Sequence, residues 1–242
     1  MSRRRSSLRI TTGFALAGVA MTLLAGCQQS VPPPSPRRTL RITTGTPGAR
    51  FHPLGRALAE AYATAFPHLD VEARDSDGSV ANVEALHRGE ADVGLAYADV
   101  AYMAYVGRLG DQREPFANLR GMVVLELAPV HLVARARAGI ERPADLRGKR
   151  VAVGPPGSGS ALTAQILLRT LGLDAVSVRV ESLRYTVAAS RLVSGTIDAL
   201  FVTGTNPVDA VTTAATAGAR LVPLPGRAID RLRHDYPFFR PS

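Results

Sequence analysis

Residues 151–171 read VAVGPPGSGSALTAQILLRTL, and this stretch decides the fold class. It opens with a short apolar run, Val151–Val153, which is typical of a buried strand. A turn rich in glycine and proline follows, and apolar residues then recur at helical spacing as far as Leu171, with Gly172 just beyond. The stretch predicts a strand–loop–helix unit, from which α/β proteins with largely parallel sheets are built.

The same unit occurs earlier in the chain, at Ile42–Ala65. Later in each half a similar short motif recurs, GEADV at Gly89–Val93 and GTIDA at Gly195–Ala199. Strand and helix patterns alternate twice, over about 39–125 and about 130–225, and each half has the size of an ordinary small domain. The sequence therefore predicts an α/β protein of two lobes, with mixed, mostly parallel sheets and flanking helices.

The two halves are joined by a β-rich stretch, MVVLELAPVHLVA at Met122–Ala134. Pro129 interrupts it, so it predicts two strand pieces joined by a bend. Shorter strands are predicted at Leu40–Thr43, Leu69–Ala73, Ala91–Ala96, Val176–Val180, Ile197–Val202 and Leu221–Leu224.

The N-terminus has the three zones of a secretory signal. Met1–Arg9 is basic, Gly13–Leu24 is apolar but too short to span a bilayer, and Leu24–Cys27 reads LAGC. Small residues before a cysteine resemble the bacterial lipobox, which predicts lipidation of Cys27, with an incidental thiol beside an ordinary cleavage site as the alternative. We expect a signal peptide at 1–26 and an acylated cysteine with a proline-rich linker at 27–38, tethering the protein at the extracytoplasmic face of a membrane in the cell envelope.

Composition excludes several classes of protein. The net charge is +9, from 29 Lys and Arg against 20 Asp and Glu, but four arginines precede residue 10, where no acidic residue occurs. Tryptophan is absent and aromatic residues make up 5%, which argues against a nucleic-acid partner. A single cysteine excludes an internal disulfide, a cysteine-rich zinc site or an iron–sulfur cluster.

Four loops combine glycine with hydroxyl residues where a predicted strand ends and a helix begins. They are Thr44–Gly48, Ser76–Ser79, Gly154–Ser160 and Thr203–Pro207. Ligands of open α/β sheets bind at such strand ends, where helix N-termini favour anions. Each loop alone is equally compatible with a turn and a helix cap. Together they predict a cleft for a small anion.

Motifs for catalysis are missing. Gly154, Gly157 and Gly159 reverse the dinucleotide-binding spacing, no P-loop or nucleophile elbow is present, and the five histidines lack metal-ligand spacing. We therefore expect no enzyme activity, no cofactor and no metal. His52 remains a candidate ligand contact, with a surface histidine as the alternative.

The chain resembles the solute receptors of TRAP transporters of the TAXI type. The resemblance rests on Leu40–Gly107 for the first lobe and on Pro129–Ser160 and Ile197–Pro207 for the second. It implies a type II periplasmic-binding-protein fold, a small organic anion such as an amino acid or carboxylate held between the lobes, and a membrane permease as partner. Carried onto this chain, the ligand contacts are Thr44, Gly45, Gly48, His52, Ser76, Gly78, Ser79, Tyr97, Asp99, Ser158, Gly159, Ser160, Thr203, Gly204 and Thr205.

This chain departs from the family pattern at three places. Tyr97–Asp99 reads Tyr-Ala-Asp where the family has Gln-Ser-Asp, and the first loop has less glycine, so that Arg50 or His52 is a candidate cation for the anion. The resemblance implies lobe 1 at 39–125 and lobe 2 at 126–242, with most of a segment returning to lobe 1 missing. A receptor of an ABC-type importer, or a surface lipoprotein with a sensory or interaction role, remains as the alternative.

Overall fold

The computed structural model describes residues 38–47, 49–173 and 176–239. The strands are β1 (Arg38–Thr43), β2 (Leu69–Arg74), β3 (Val93–Gly94), β4 (Val130–Ala134), β5 (Arg150–Ala152), β6 (Arg179–Glu181), β7 (Ala199–Thr203) and β8 (Arg220–Leu221). The helices are α1 (Phe51–Ala65), α2 (Ser79–His87), α3 (Ala98–Tyr105), α4 (Gly159–Thr170), α5 (Tyr185–Val193), α6 (Asp209–Thr216) and α7 (Gly226–Asp235), with a short 3₁₀ helix at Pro143–Leu146. The predicted α/β class, with mixed sheets and flanking helices, is confirmed.

The first sheet has the strand order β2-β1-β3, and both pairings are parallel. Ile42 in the central strand is fully buried, as the apolar–polar alternation of β1 predicts. Helices α2 and α3 pack against each other through a core that includes Val83, Val100 and Phe116. This core positions the N-termini of both helices beside the carboxyl ends of the strands.

The second sheet has five strands in the order β6-β5-β7-β4-β8. β5 is parallel to β6 and β7, whereas β4 runs antiparallel to β7 and β8. Every residue of β7, Ala199–Thr203, is buried because helices cover both faces of this central strand. The order β6-β5-β7 repeats the order β2-β1-β3, so the duplication predicted from the sequence is present in the topology.

The prediction of two strand pieces over Met122–Ala134 is wrong. Only Val130–Ala134 forms a strand, and residues 119–129 have no regular structure. A strand needs a hydrogen-bonded neighbour, and the described residues supply one for β4 but none for the apolar segment before Pro129. Strong β propensity was therefore not sufficient there.

The signal peptide and Cys27 lie outside the described residues, as does all of the linker except Arg38. Among the residues that are described, no helix is long and apolar enough to cross a membrane.

Candidate functional site

The first predicted loop follows β1, and hydrogen bonds to neighbouring residues of the first half hold it in place. Thr44 is buried, its hydroxyl donates to the Arg74 carbonyl over 3.1 Å, and its own carbonyl accepts from Ser76 Oγ at 3.3 Å. Gly45 is also buried, and a side chain there would meet Phe51 Cβ at 3.0 Å. These contacts bring the first and second predicted loops together. Gly48 lies outside the described residues.

The second loop leads into helix α2. Ser76 Oγ accepts a hydrogen bond from the Gly78 amide at 3.1 Å. Gly78 has φ +117°, a conformation that favours glycine, and its backbone approaches Ser158. Ser79 is 1% exposed, and its hydroxyl accepts from the Tyr97 amide at 3.1 Å. The second loop thus contacts both the third loop, at Ser158, and Tyr97.

The third loop caps helix α4. Ser158 is the N-cap, and its hydroxyl accepts from the Ala161 amide at 3.2 Å. Gly159 lies directly against the first half of the molecule, because a Cβ placed on it would overlap the Tyr97 ring and lie 2.7 Å from Ser79 Oγ. Only glycine permits this close approach.

The fourth loop follows β7. The Thr203 amide donates to the Tyr185 hydroxyl at 2.9 Å, and its carbonyl lies 3.2 Å from the hydroxyls of both Tyr97 and Tyr185. The Tyr185 hydroxyl also hydrogen-bonds with the Ser160 hydroxyl. Gly204 donates through its amide to the Pro129 carbonyl at 3.1 Å. Thr205, at the edge of the loop, donates to the Leu127 carbonyl at 3.2 Å.

The four loops therefore lie next to one another, and the phenols of Tyr97 and Tyr185 lie where the second, third and fourth loops meet. Burial, and then the mutual proximity of the two rings, raises the pKa of Tyr97, and burial raises the pKa of Tyr185. Both phenols are neutral at physiological pH and act only as hydrogen-bonding groups. The converging set is uncharged and rich in hydroxyls and backbone amides.

The Asp99 carboxylate is hydrogen-bonded by other groups of the protein. It is 4% exposed, its carboxylate accepts from the Val100 amide at 2.8 Å, and it also accepts from the Thr163 hydroxyl. Burial raises the pKa of this carboxyl group. The Asp99–Thr163 contact joins α3 to α4, and with it the two halves of the molecule. A direct contact of Asp99 with a ligand stays a prediction.

The two candidate cations have partners of their own. Arg50 is exposed and donates through Nη2 to Glu126 at 2.6 Å, a hydrogen bond that lowers the pKa of the Glu126 carboxyl. His52 Nε2 accepts from Arg56 Nε at 3.1 Å. An anion would have to compete with Glu126 for Arg50.

Three residues of the site belong to no sequence motif and were not predicted. Tyr185 begins helix α5, Thr163 lies inside α4, and Asn82 is fully buried in α2. The Asn82 amide donates to the carbonyls of Thr44 at 2.7 Å and Leu95 at 2.6 Å, and so ties together the ends of β1 and β3. The one available signal was a polar Asn directly before Val83 in the predicted helix.

A groove of about 500 Å³ lies beside the converging loops, between α2, α4 and the loop at 109–112. Glu84 and Asp111 are among its lining residues. Two carboxylates repel an anion, so the groove does not fit the predicted ligand. No cluster of three or more His, Cys, Asp or Glu residues in the described part of the chain is placed to hold a metal ion.

Comparison with solved structures identifies the class of fold as that of periplasmic solute-binding proteins. The alkanesulfonate-binding protein SsuA from Xanthomonas axonopodis pv. citri, bound to MOPS, matches with a TM-score of 0.51 and 20% identity over 78% of this chain and 61% of that one. A binding protein component of an ABC phosphonate transporter from Pseudomonas aeruginosa matches with a TM-score of 0.52 and 11% identity over 83% and 74%.

The periplasmic aliphatic sulphonate binding protein SsuA from Escherichia coli matches with a TM-score of 0.49 and 21% identity over 78% of this chain and 57% of that one. The chain therefore spans about three fifths of the length of the two sulfonate-binding proteins. The family is established separately. The NMT1-like family matches residues 42–242, and the chain belongs to it.

Proposed function

We propose that this protein is the solute-binding receptor of an importer, located outside the cytoplasm, tethered through a lipid on Cys27 and without catalytic activity. Its ligand is a small organic anion, captured between the two halves. The observation that carries the proposal is the convergence of the loops: the second, third and fourth contact Tyr97 or Tyr185, and the first joins the second through Thr44 and Ser76.

The chemistry of the converging groups fits an anion that is recognised without a full countercharge. Ser79, Ser158 and Ser160 offer hydroxyls, and the N-termini of α2 and α4 offer backbone amides and a partial positive charge. Hydrogen bonds from amides to an anionic oxygen are stronger than those between neutral groups. A carboxylate, sulfonate or phosphonate presents such oxygens.

Binding requires the two halves to separate. Tyr97 donates to Thr203 across the junction, and the Val80 amide donates to the Gly157 carbonyl at 3.3 Å. A solute entering between the loops replaces these bonds with its own, and hinge closure then restores the junction around it.

For the membrane partner we favour a permease of the ABC type. Among the structures with a similar fold, the protein from Pseudomonas aeruginosa is described as a component of an ABC phosphonate transporter. A TRAP permease of the TAXI type is the second candidate, and it is supported by the sequence of the first half, Leu40–Gly107. Measuring uptake of the identified solute by cells distinguishes the two permeases. ATP depletion stops uptake through an ABC permease, whereas an ionophore stops uptake through a TRAP permease.

The receptor function is tested by thermal denaturation of the purified chain with a panel of sulfonates, phosphonates, carboxylates and amino acids. A ligand at 100 times its dissociation constant stabilises the folded state by about 2.7 kcal/mol, which raises the melting temperature by several degrees. Ser79→Ala should weaken the effect, whereas Ser194→Ala, on the exposed end of α5, should not. No rise with any member of the panel would contradict the proposal.

A further inference from the structure

An ion pair between Arg50 and Glu126 lies beside the converging loops and joins two distant parts of the chain. Arg50 directly precedes α1, whereas Glu126 stands 76 residues later, in the segment between the two halves. Arg50 Nη2 and Nε donate to Glu126 Oε2 at 2.6 and 3.1 Å. Because the two residues are so far apart in sequence, it is the tertiary structure that keeps one positive and one negative group together at this place.

The neighbours of the pair belong to the candidate site. The ring of Phe51, the residue after Arg50, packs on the Tyr97 ring with 5.1 Å between the ring centres. The Thr205 hydroxyl, in the fourth loop, donates to the carbonyl of the residue after Glu126 at 3.2 Å. Hydrogen bonds from Arg50 and, more weakly, from Thr205 lower the pKa of the Glu126 carboxyl. A solute bound among the loops is therefore close to both members of the pair.

The two members of the pair differ in exposure. The Arg50 side chain is 58% exposed and that of Glu126 only 19%. Among the described residues, Arg50 is the cation that bonds Glu126. An anion that took Arg50 for itself would leave a half-buried carboxylate without a cation and beside a second negative charge, and both effects oppose binding. The pair therefore penalises a solute that carries negative charge alone.

The charges of the pair also define the solute that avoids this penalty. Together Arg50 and Glu126 carry both signs of charge and no net charge. A molecule with an acid group and an ammonium group has the same property, so each of its charges replaces the partner that Arg50 or Glu126 gives up. Both residues then keep a charge-assisted hydrogen bond, while the loops bond the remaining oxygens of the acid. Such charge complementarity gives specificity more than affinity.

We propose that the solute is a zwitterion, an amino-substituted carboxylic, sulfonic or phosphonic acid, whose ammonium group binds Glu126 and whose acid group binds Arg50. The inference rests on the proposed receptor function and narrows its ligand from small organic anions in general. It makes Glu126 the residue that rejects acids without an amino group. An ion pair with a purely structural role predicts something else, because its loss lowers stability and leaves the choice of solute unchanged.

The test is isothermal titration calorimetry of the purified chain with matched probes that differ by one amino group. The probe pairs are alanine and propionate, glutamate and glutarate, taurine and ethanesulfonate, and 2-aminoethylphosphonate and ethylphosphonate. Each is measured on the original sequence, on Glu126→Gln and on Glu90→Gln. Glu90 is the matched control, because it also pairs with an arginine, Arg88 at 2.8 Å, but follows the C-terminal end of α2, whereas Ser79 begins this helix. Glutamine has the shape of glutamate, so circular dichroism should show that both variants fold.

For at least one probe pair we expect the amino-substituted member to bind about tenfold more tightly or better, both to the original chain and to Glu90→Gln. Glu126→Gln should lose most of this preference, because an amide does not neutralise an ammonium group and leaves Arg50 free for a plain acid. The inference is overturned if plain acids bind as tightly as their amino-substituted partners, or if the preference persists in Glu126→Gln. Either result leaves the receptor function standing, whereas a chain that binds no probe contradicts the receptor function and the inference together.

Discussion

Arg41 binds Asp92 with its backbone and its side chain at once. The Arg41 amide and Nε donate to Oδ2 at 2.9 and 3.0 Å, Nη2 donates to Oδ1 at 2.9 Å, and the Asp92 amide donates back to the Arg41 carbonyl at 2.9 Å. Arg150 and Asp198 repeat the same four hydrogen bonds in the second half, at 2.9 to 3.2 Å. The duplication thus extends to the side chains that join β1 to β3 in the first half and β5 to β7 in the second.

Asp198→Asn should destabilise the protein more than Asp92→Asn. Asp198 has a side chain only 12% exposed and a second partner, Arg135 at 3.1 Å, whereas the Asp92 side chain is 37% exposed. Removing one partner of a buried pair costs 3–5 kcal/mol, and partial exposure reduces this to about 2 kcal/mol for Asp198→Asn. Urea denaturation at neutral pH measures the free energy of unfolding of both variants. Equal losses of stability in the two variants would contradict this prediction.

The same substitution should change how stability depends on pH. Burial opposes ionisation of Asp198, but hydrogen bonds from Arg150 and Arg135 outweigh it and lower the pKa from 3.8 to about 2. A lowered pKa stabilises the folded state above the unfolded-state value and loses this effect as pH falls through the folded-state value. The difference between the original chain and Asp198→Asn should therefore shrink between about pH 4 and pH 2. A difference that is constant over this range would refute the assignment.

Gly159→Ala should prevent the two halves from meeting. The added methyl group would overlap the Tyr97 ring, so α4 and α3 must move apart. Gly226→Ala is the matched control, since Gly226 also begins a helix after its N-cap but has no atom within 4 Å of the added carbon. We expect Gly159→Ala to lower the melting temperature by several degrees and to weaken ligand binding, with little effect of Gly226→Ala. Equal melting temperatures would contradict the close approach.

Tyr185→Phe should cost more stability than Tyr97→Phe. The first change leaves the buried Thr203 amide without its acceptor at 2.9 Å, and an unsatisfied buried group costs about 1–3 kcal/mol. Tyr97→Phe removes one of the two hydroxyls near the Thr203 carbonyl, and this carbonyl still has the Tyr185 hydroxyl beside it. Chemical denaturation of both variants measures the difference, and the reverse order would show that the Thr203 amide finds another acceptor.

Asn82→Ala should destabilise the first sheet by about 2 kcal/mol, because the Leu95 carbonyl loses its donor and the Thr44 carbonyl keeps only the 3.3 Å bond from Ser76. Asn118→Ala serves as the control, since Asn118 is exposed and its amide donates only over 3.5 Å. Hydrogen exchange should show faster opening near Thr44 in the first variant alone. Similar losses of stability in Asn82→Ala and Asn118→Ala would contradict the role of Asn82 in joining β1 to β3.

The sequence predicts the parts of this fold that depend on local patterns. The strand, turn and helix at 151–171 follow from apolar spacing, glycine and proline, and the structure has them at nearly the predicted bounds. The sequence did not predict the fate of Met122–Leu127, because whether an apolar run becomes a strand depends on a partner elsewhere in the chain. Tyr185 was missed for a similar reason, since its contact with Thr203 is tertiary and belongs to no motif.

The junction at Tyr97 and Tyr185 also has an optical consequence. The chain has six tyrosines and no tryptophan, so its ultraviolet emission comes from phenol groups alone. Two of the six lie where the halves meet, and their hydroxyls are bonded to the Thr203 carbonyl. Separation of the halves breaks the bond of Tyr97 to Thr203, whereas Tyr185 keeps its partners within the second half. The fluorescence of Tyr97 therefore changes when the molecule opens, without any attached dye.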